Sequence, residues 1–89
     1  MAAPAHLSDA AKAVWAEITQ AHADPAVIEG PDLEAFCVQV ARMRDAQARI
    51  DAEGLVVADA KGQPIPHPAI ALEKQAHAEV RAWGDRFRP

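Results

Sequence analysis

The sequence predicts a mainly α-helical domain of three helices, with a short β-hairpin between the second helix and the third. Alanine supplies 22 of the 89 residues, and the larger apolar residues recur at intervals of three and four, which is typical of amphipathic helices. The exception is EGLVVADAKGQPIPHPAI, residues 53–70, which holds two of the four glycines, three of the seven prolines and a Val-Val pair. The chain shows no internal repeat and no linker long enough to divide it, so we expect a single domain over residues 1–89.

The first helix is predicted over about residues 8–22. Ser8 can cap its amino end, and Asp9 places a negative charge against the helix dipole. Asp24-Pro25 then interrupts the helical pattern. One face of this helix is predicted to carry Ala11, Val14, Trp15, Ile18 and His22.

The second helix is predicted over about residues 31–53. Pro31 suits a first helical turn, and acidic residues follow it. Gly54 is expected to end the helix, and if it takes the left-handed C′ position, Leu55 folds back onto Ile50 as in a Schellman motif. The predicted packing stripe, which Cys37 borders, consists of Leu33, Phe36, Val40, Met43, Gln47 and Ile50.

The hairpin is predicted over about residues 55–66, with the turn at residues 59–62 and prolines that limit the ladder. The third helix follows over about residues 68–83, with His67 helping to cap it and Gly84 ending it. Residues 84–89 are expected to form a short basic tail. The predicted buried face of the third helix consists of Ala69, Leu72, Ala76, Val80 and Trp83.

Few large apolar side chains remain once alanine is set aside, so the core of one chain is thin. A two-stranded ribbon is also marginal in water unless it packs on helices or joins other strands. We therefore expect the chain to bury its remaining apolar surface against copies of itself or against a partner.

Composition also argues against several classes of protein. A simple electrostatic nucleic-acid binder is usually basic, whereas this chain has a net charge of −4. No run of apolar residues approaches the length of a membrane span. The amino-terminal residues have no basic region followed by an apolar run, so no signal peptide is expected. We expect a cytoplasmic protein with no membrane partner.

No catalytic motif is present: the sequence lacks a nucleophile elbow, a phosphate-binding glycine loop, HExxH and CxxC. The four histidines have no metal-ligand spacing. Cys37, beside an apolar stripe, is expected to be a buried structural thiol. We predict no catalytic residue, no metal ligand and no cofactor.

The basic residues are the candidates for contact with DNA phosphates. Residues 1–41 carry a net charge of −5, whereas residues 81–89 carry +2. Arg42 and Arg49 lie seven residues apart on the solvent side of the second helix, where Asp45 can pair with Arg49. The candidates are Lys12, Arg42, Arg49, Arg81, Arg86 and Arg88.

The order of these segments resembles the small terminase subunit of tailed phages and prophages. The resemblance covers nearly the whole chain, in LSDAAKAVWAEI, DLEAFCVQVARMRDAQARIDAEGLVV and GQPIPHPAIALEKQAHAEVRAWG. The matching residues of the opening are Leu7, Ser8, Ala11 and Trp15. Those of the second helix, the turn and the start of the third helix are Asp32, Phe36, Cys37, Glu53, Gly54, Leu55, Val56, Gly62, His67 and Pro68.

The resemblance implies a non-enzymatic component of a genome-packaging motor in a bacterial host cell. Small terminases typically assemble as rings, engage viral DNA, and recruit or regulate the large terminase, which supplies the ATPase and nuclease. Candidate contacts for the oligomer or a partner are Val56, Val57, Ile65, Trp83 and Phe87.

Two departures from the family pattern predict weak or non-specific binding of double-stranded DNA. The chain is acidic, and it ends at RFRP where many relatives continue with further basic residues. A gene transfer agent, which packages host DNA with little sequence preference, would need less specificity. The alanine-rich, arginine-rich composition is compatible with that variant.

Two other functions stay open. The first is a helical adaptor or regulator that docks on another protein and has no role in packaging. The second, a DNA-binding regulator of the helix-turn-helix type, fits less well because residues 23–30 are long for that turn and the second helix starts with acidic residues.

Overall fold

The computed structural model describes residues 3–89 and contains three α-helices and one two-stranded antiparallel hairpin. Residues 1 and 2, at the start of the segment where no signal peptide is expected, lie outside the described residues. The elements in chain order are α1 (Asp9–Ala21), a 3-10 turn (Pro25–Val27), α2 (Pro31–Glu53), β1 (Val56–Ala58), β2 (Pro64–Pro66), α3 (Ala69–Trp83) and a final 3-10 turn (Gly84–Phe87). The predicted fold class is therefore confirmed. Within the described residues, no helix is both long enough and apolar enough to cross a membrane.

α1 begins as its sequence predicts, because the Ser8 hydroxyl accepts a hydrogen bond from the Ala11 amide at 3.2 Å. Its inner face is apolar and packs against the amino-terminal half of α2. The predicted stripe of α1 is correct at Ala11, Val14 and Trp15, which are all buried, and Ile18 is half-buried.

α2 is 23 residues long, about 35 Å at 1.5 Å per residue, and spans the two apolar clusters seen among residues 3–89. The larger cluster combines residues of α1 and the first half of α2 with Leu7, Ile28 and Phe87. The smaller cluster, at the far end of α2, consists of Ala46, Ile50 and Ala69. The molecule is elongated, with extents of 52 × 25 × 18 Å.

Two details of α2 differ from the sequence prediction. Gln47 is exposed and Ala46 is buried in its place, in the small cluster that α2 forms with Ala69 of α3. Gly54 has the expected positive φ of 91°, but its ψ of 163° is extended, so the helix does not end in a Schellman motif. The condition for Leu55 to fold back onto Ile50 is therefore not met, and 66% of Leu55 is exposed.

The hairpin has the predicted turn. The Asp59 side chain accepts hydrogen bonds from the Lys61 amide at 2.8 Å and the Gln63 amide at 2.9 Å. Gly62 occupies a position with φ of +80°, which favours glycine. The strand register pairs Val57 with Ile65.

α3 runs back along α2, and the two helices form the most extensive contact in the protein. Ala69 and Ala76 are buried at this contact, and Val80 is half-buried. The prediction that Leu72 and Trp83 are buried is wrong, since 63% and 51% of these residues are exposed. Helical spacing gave the correct side of α3, but the residues that α2 presents there do not cover the larger side chains.

Candidate nucleic-acid and partner surfaces

The carboxyl-terminal residues are folded onto the helices instead of forming a free basic tail. Phe87 is only 4% exposed, and its ring centroid lies 4.8 Å from that of Phe36. The ring nitrogen Nε2 of His22 lies 2.6 Å from the Phe87 carbonyl oxygen. Phe87, predicted as a partner contact, therefore belongs to the core of its own chain.

The two arginines beside Phe87 both face carboxylates. Arg86 Nη2 lies 3.4 Å from Asp32 Oδ2 at the start of α2, and Arg88 Nη1 lies 3.1 Å from Asp85 Oδ1. Both pairs are exposed and contribute little to stability. They nevertheless offset the positive charge that would otherwise meet DNA phosphates.

Arg49 is neutralised in the same way. Its Nε donates to Asp45 Oδ2 at 3.0 Å, one helical turn away, as the spacing predicted. This hydrogen bond, together with the charge of Asp45, raises the pKa of Arg49.

Sequence reasoning did not identify the pair formed by Arg44 and Glu17. The guanidinium donates two hydrogen bonds to the carboxylate, at 3.1 Å and 3.0 Å, and so joins α2 to α1. The hydrogen bonds and the charge of Arg44 lower the pKa of Glu17. No local signal could have found this pair, because 27 residues separate its members.

Within residues 3–89, three of the predicted DNA contacts have no carboxylate within 4.0 Å: Lys12, Arg42 and Arg81. They lie on three different helices. Arg42 and Arg81 are exposed, and Lys12 is half-buried. Two grooves lie beside Arg42. Arg49 also lines one of them, whereas Lys12 and Arg81 line neither.

Arg81 continues a line of exposed basic side chains on α3 that the sequence analysis missed. Lys74 and His77 precede it by seven and four residues and are also exposed. Residues at these spacings share one helix face, and Lys74 and Arg81 lie about 10 Å apart along the axis. We name Lys74, His77 and Arg81 the α3 basic stripe. The spacing of three and four between these residues is visible in the sequence.

A second surface is apolar and lies in the groove between α2 and α3. The groove has a volume of about 650 Å³, and Leu72 and Ala76 contribute to its apolar lining. It continues into a smaller hollow of about 220 Å³ between Phe36 and Trp83. Because Gln39 and Glu79 line both hollows, the two are adjacent parts of one surface. Trp83, a predicted partner contact, is thus accessible here.

The three hairpin residues predicted as contacts differ in exposure. Val56 is 63% exposed, and Val57 and Ile65 are half-buried. Because side chains alternate along a strand, Val57 and Ile65 share the more covered face, and Val56 lies on the open face.

Cys37 and His67 have structural positions, as the sequence predicted. The Cys37 side chain is fully buried, and burial raises the pKa of its thiol to about 11. His67 is 7% exposed, and its Nδ1 accepts a hydrogen bond from the amide of Ala69 at 2.9 Å, which caps α3. The remaining ring nitrogen lies 3.4 Å from Glu53 Oε2 and makes no hydrogen bond of good geometry.

A family model described as "Phage terminase, small subunit" matches residues 11–88, which include all three helices and the hairpin except the first two residues of α1. No curated protein and no solved structure matches the chain.

Proposed function

Because the chain belongs to the small-subunit family of phage terminases, we propose that it is a non-catalytic component of a phage-like DNA-packaging motor. The observation that carries the proposal is the extent of the family match, residues 11–88, over a fold that has the predicted helices and hairpin. In this role the chain engages the DNA to be packaged and brings it to the large terminase, whose ATPase and nuclease it recruits or regulates. The site of action is the cytoplasm of the bacterial host.

The α3 basic stripe and Arg42 are the proposed contacts with DNA. They are exposed and have no carboxylate within 4.0 Å in the described part of the chain. Arg49, Arg86 and Arg88 are secondary because acids already face them. With so few free cations on a chain of net charge −4, binding should be weak, salt-sensitive and insensitive to sequence. Low specificity would suit a gene transfer agent as well as a phage.

Self-association is the second part of the proposal. The core of one chain leaves Leu72, Trp83, Leu55 and Val56 more than half exposed, and contacts between copies would bury such side chains. A ring of copies would also place several α3 basic stripes around one DNA segment, so that individually weak contacts add.

The test is co-purification of the tagged chain with its cognate large terminase, in the presence and absence of double-stranded DNA. Retention of the large subunit, together with a native mass above that of one chain by light scattering, would support the proposal. A monomer that retains neither the large subunit nor DNA would contradict it.

One observation favours a second candidate, a helical adaptor without a packaging role. The groove between α2 and α3 exposes Leu72 and Trp83, which are apolar side chains of the kind that the apolar face of a partner helix covers. An adaptor of this kind would bind an amphipathic helix and would show no affinity for DNA or the large terminase. The same co-purification separates the two functions.

A further inference from the structure

The two edges of the hairpin differ in their backbone chemistry. The Asp59 amide donates to the Gln63 carbonyl at 2.9 Å, and the His67 amide donates to the Leu55 carbonyl at 2.8 Å. With Val57 paired to Ile65, every second residue thus bonds across the ladder. The residues between them, Val56 and Ala58 on β1 and Pro64 and Pro66 on β2, direct their backbone groups to the outer edges.

The outer edge of β2 is closed to a further strand. Pro64 and Pro66 have no N–H, so this edge offers only carbonyl oxygens at the two positions where an added strand needs donors as well. The outer edge of β1 is open, because Val56 and Ala58 each present an N–H and a carbonyl oxygen. Proteins commonly protect such an edge with a charged residue or a proline, and LVVA, residues 55–58, contains neither.

The exposed apolar side chains lie at this same open edge. Leu55 and Val56 are 66% and 63% exposed, and Ala58 is also exposed. An uncharged, unprotected and apolar strand edge is the surface that an added β-strand recognises. The groove between α2 and α3, by contrast, offers side chains but no free backbone groups.

We infer that β1 pairs antiparallel with β1 of a second copy, so that two hairpins form one four-stranded sheet in the order β2-β1-β1-β2. The inference deepens the self-association in the proposed function and rests on it. The strand sequence suits a two-fold axis at Val57. Val56 then exchanges hydrogen bonds with Ala58 of the partner subunit, and Val57 faces Val57 of the partner subunit. No charge faces a like charge in this register, and valine beside valine is a favourable cross-strand pair.

The same chemistry excludes a closed ring of hairpins, since such a ring needs β1 of each copy to pair with β2 of the next. The contact therefore joins two copies only. Three residues from each copy form a small interface, whose buried area is well below the roughly 1,200 Å² of a stable interface. A larger assembly needs a second contact, for which the exposed Leu72 and Trp83 are available.

Disulfide cross-linking tests the pairing. Residues opposite each other at a position without ladder bonds have Cα atoms about 4.5 Å apart, within the range of a disulfide. Val57→Cys should therefore form a covalent dimer under mild oxidation with oxidised glutathione. Ile65→Cys is the matched control, because it lies across the ladder from Val57 on the closed strand, and it should cross-link no more than the wild type. The cysteine of the wild type, Cys37, is fully buried, so the wild type gives the background level of cross-linking.

Ala58→Pro combined with Val57→Cys removes one outward N–H without touching the ladder bonds to β2, and it should abolish the cross-link. Circular dichroism of this double variant checks that the helices remain. The inference is wrong if Val57→Cys stays uncross-linked, or if Val57→Cys and Ile65→Cys cross-link equally. If the wild type nevertheless exceeds the mass of one chain, self-association stands and uses another surface. If the wild type is a monomer as well, the proposed self-association fails with the inference.

Discussion

The Nε2 atom of His22 lies 2.6 Å from the carbonyl oxygen of Phe87 and so joins the end of α1 to the last turn of the chain. Sixty-five residues separate the two. This hydrogen bond and the buried Phe87 ring make the carboxyl-terminal turn a structural part of the α1–α2 core. The backbone that carries Arg86 and Arg88 is fixed against the helices as a consequence, although both side chains are exposed.

Phe87→Ala should destabilise the protein by about 3 to 5 kcal/mol, because it removes a buried aromatic ring and leaves a cavity next to Phe36. Urea unfolding at fixed protein concentration, followed by circular dichroism, measures the loss. Trp83→Ala is the matched control: its side chain is 51% exposed, and it should cost clearly less. Equal losses for the two variants would mean that the last turn does not pack in solution as described.

His67→Ala should destabilise α3 by about 0.5 to 2 kcal/mol through the lost cap, in addition to the loss of buried ring surface. His67→Asn keeps a side-chain acceptor near the Ala69 amide and should recover part of the loss. Thermal unfolding of the three proteins checks the expected order of stability, in which the wild type is most stable, His67→Asn is next and His67→Ala is least stable. If the Asn variant is no more stable than the Ala variant, the hydrogen bond to Ala69 contributes nothing measurable.

Much of the fold was predictable because it depends on local chemistry. The Ser8 cap, the Asp59–Gly62 turn and the prolines that begin α2 and limit β2 are set by residues close together in the chain. The exposure of Leu72 and Trp83 was not predictable, since periodicity defines a helix face but not how much of it a neighbour covers.

The candidate site was less predictable than the fold. Lys12, Arg42 and Arg81 were identified and remain free of carboxylates among residues 3–89, but the partners of Arg86 and Arg44 lie far away in the sequence. Residue type alone could not separate the free cations from the paired ones. Lys74 and His77 could have been found from their spacing to Arg81.

Removing Arg44 should return the pKa of Glu17 toward its ordinary value, because the guanidinium is what lowers it. A carboxylate whose pKa is depressed in the folded state adds stability above its unfolded pKa of about 4.5, and this contribution is lost as the pH falls through the folded value. Carboxyl NMR titration of the wild type and Arg44→Gln measures the change. Arg49→Gln should leave Glu17 unaffected, and a shift of equal size there would contradict the assignment.

Cys37 should be inert in the folded protein. Its side chain is buried and its pKa is raised to about 11, so only about one thiol in a thousand is ionised at pH 8. A chromogenic thiol reagent should therefore react at the rate at which the protein opens, and reaction should become fast in urea. Fast labelling without denaturant would show that the α1–α2 core is open in solution.

Lys74→Gln with Arg81→Gln should weaken binding of double-stranded DNA about equally for all sequences, since the contacts proposed for the α3 basic stripe are with phosphates, which carry no sequence information. Each lost phosphate contact should reduce the slope of log K against log salt by about 0.9. Fluorescence anisotropy with two unrelated duplexes, at several salt concentrations, measures both effects. Arg49→Gln is the matched control: it also removes one exposed arginine, but one already hydrogen-bonded to Asp45, and it should change the slope little. If Arg49→Gln weakens binding as much as the double variant, pairing with Asp45 does not keep Arg49 from DNA and the α3 basic stripe is not the main interface.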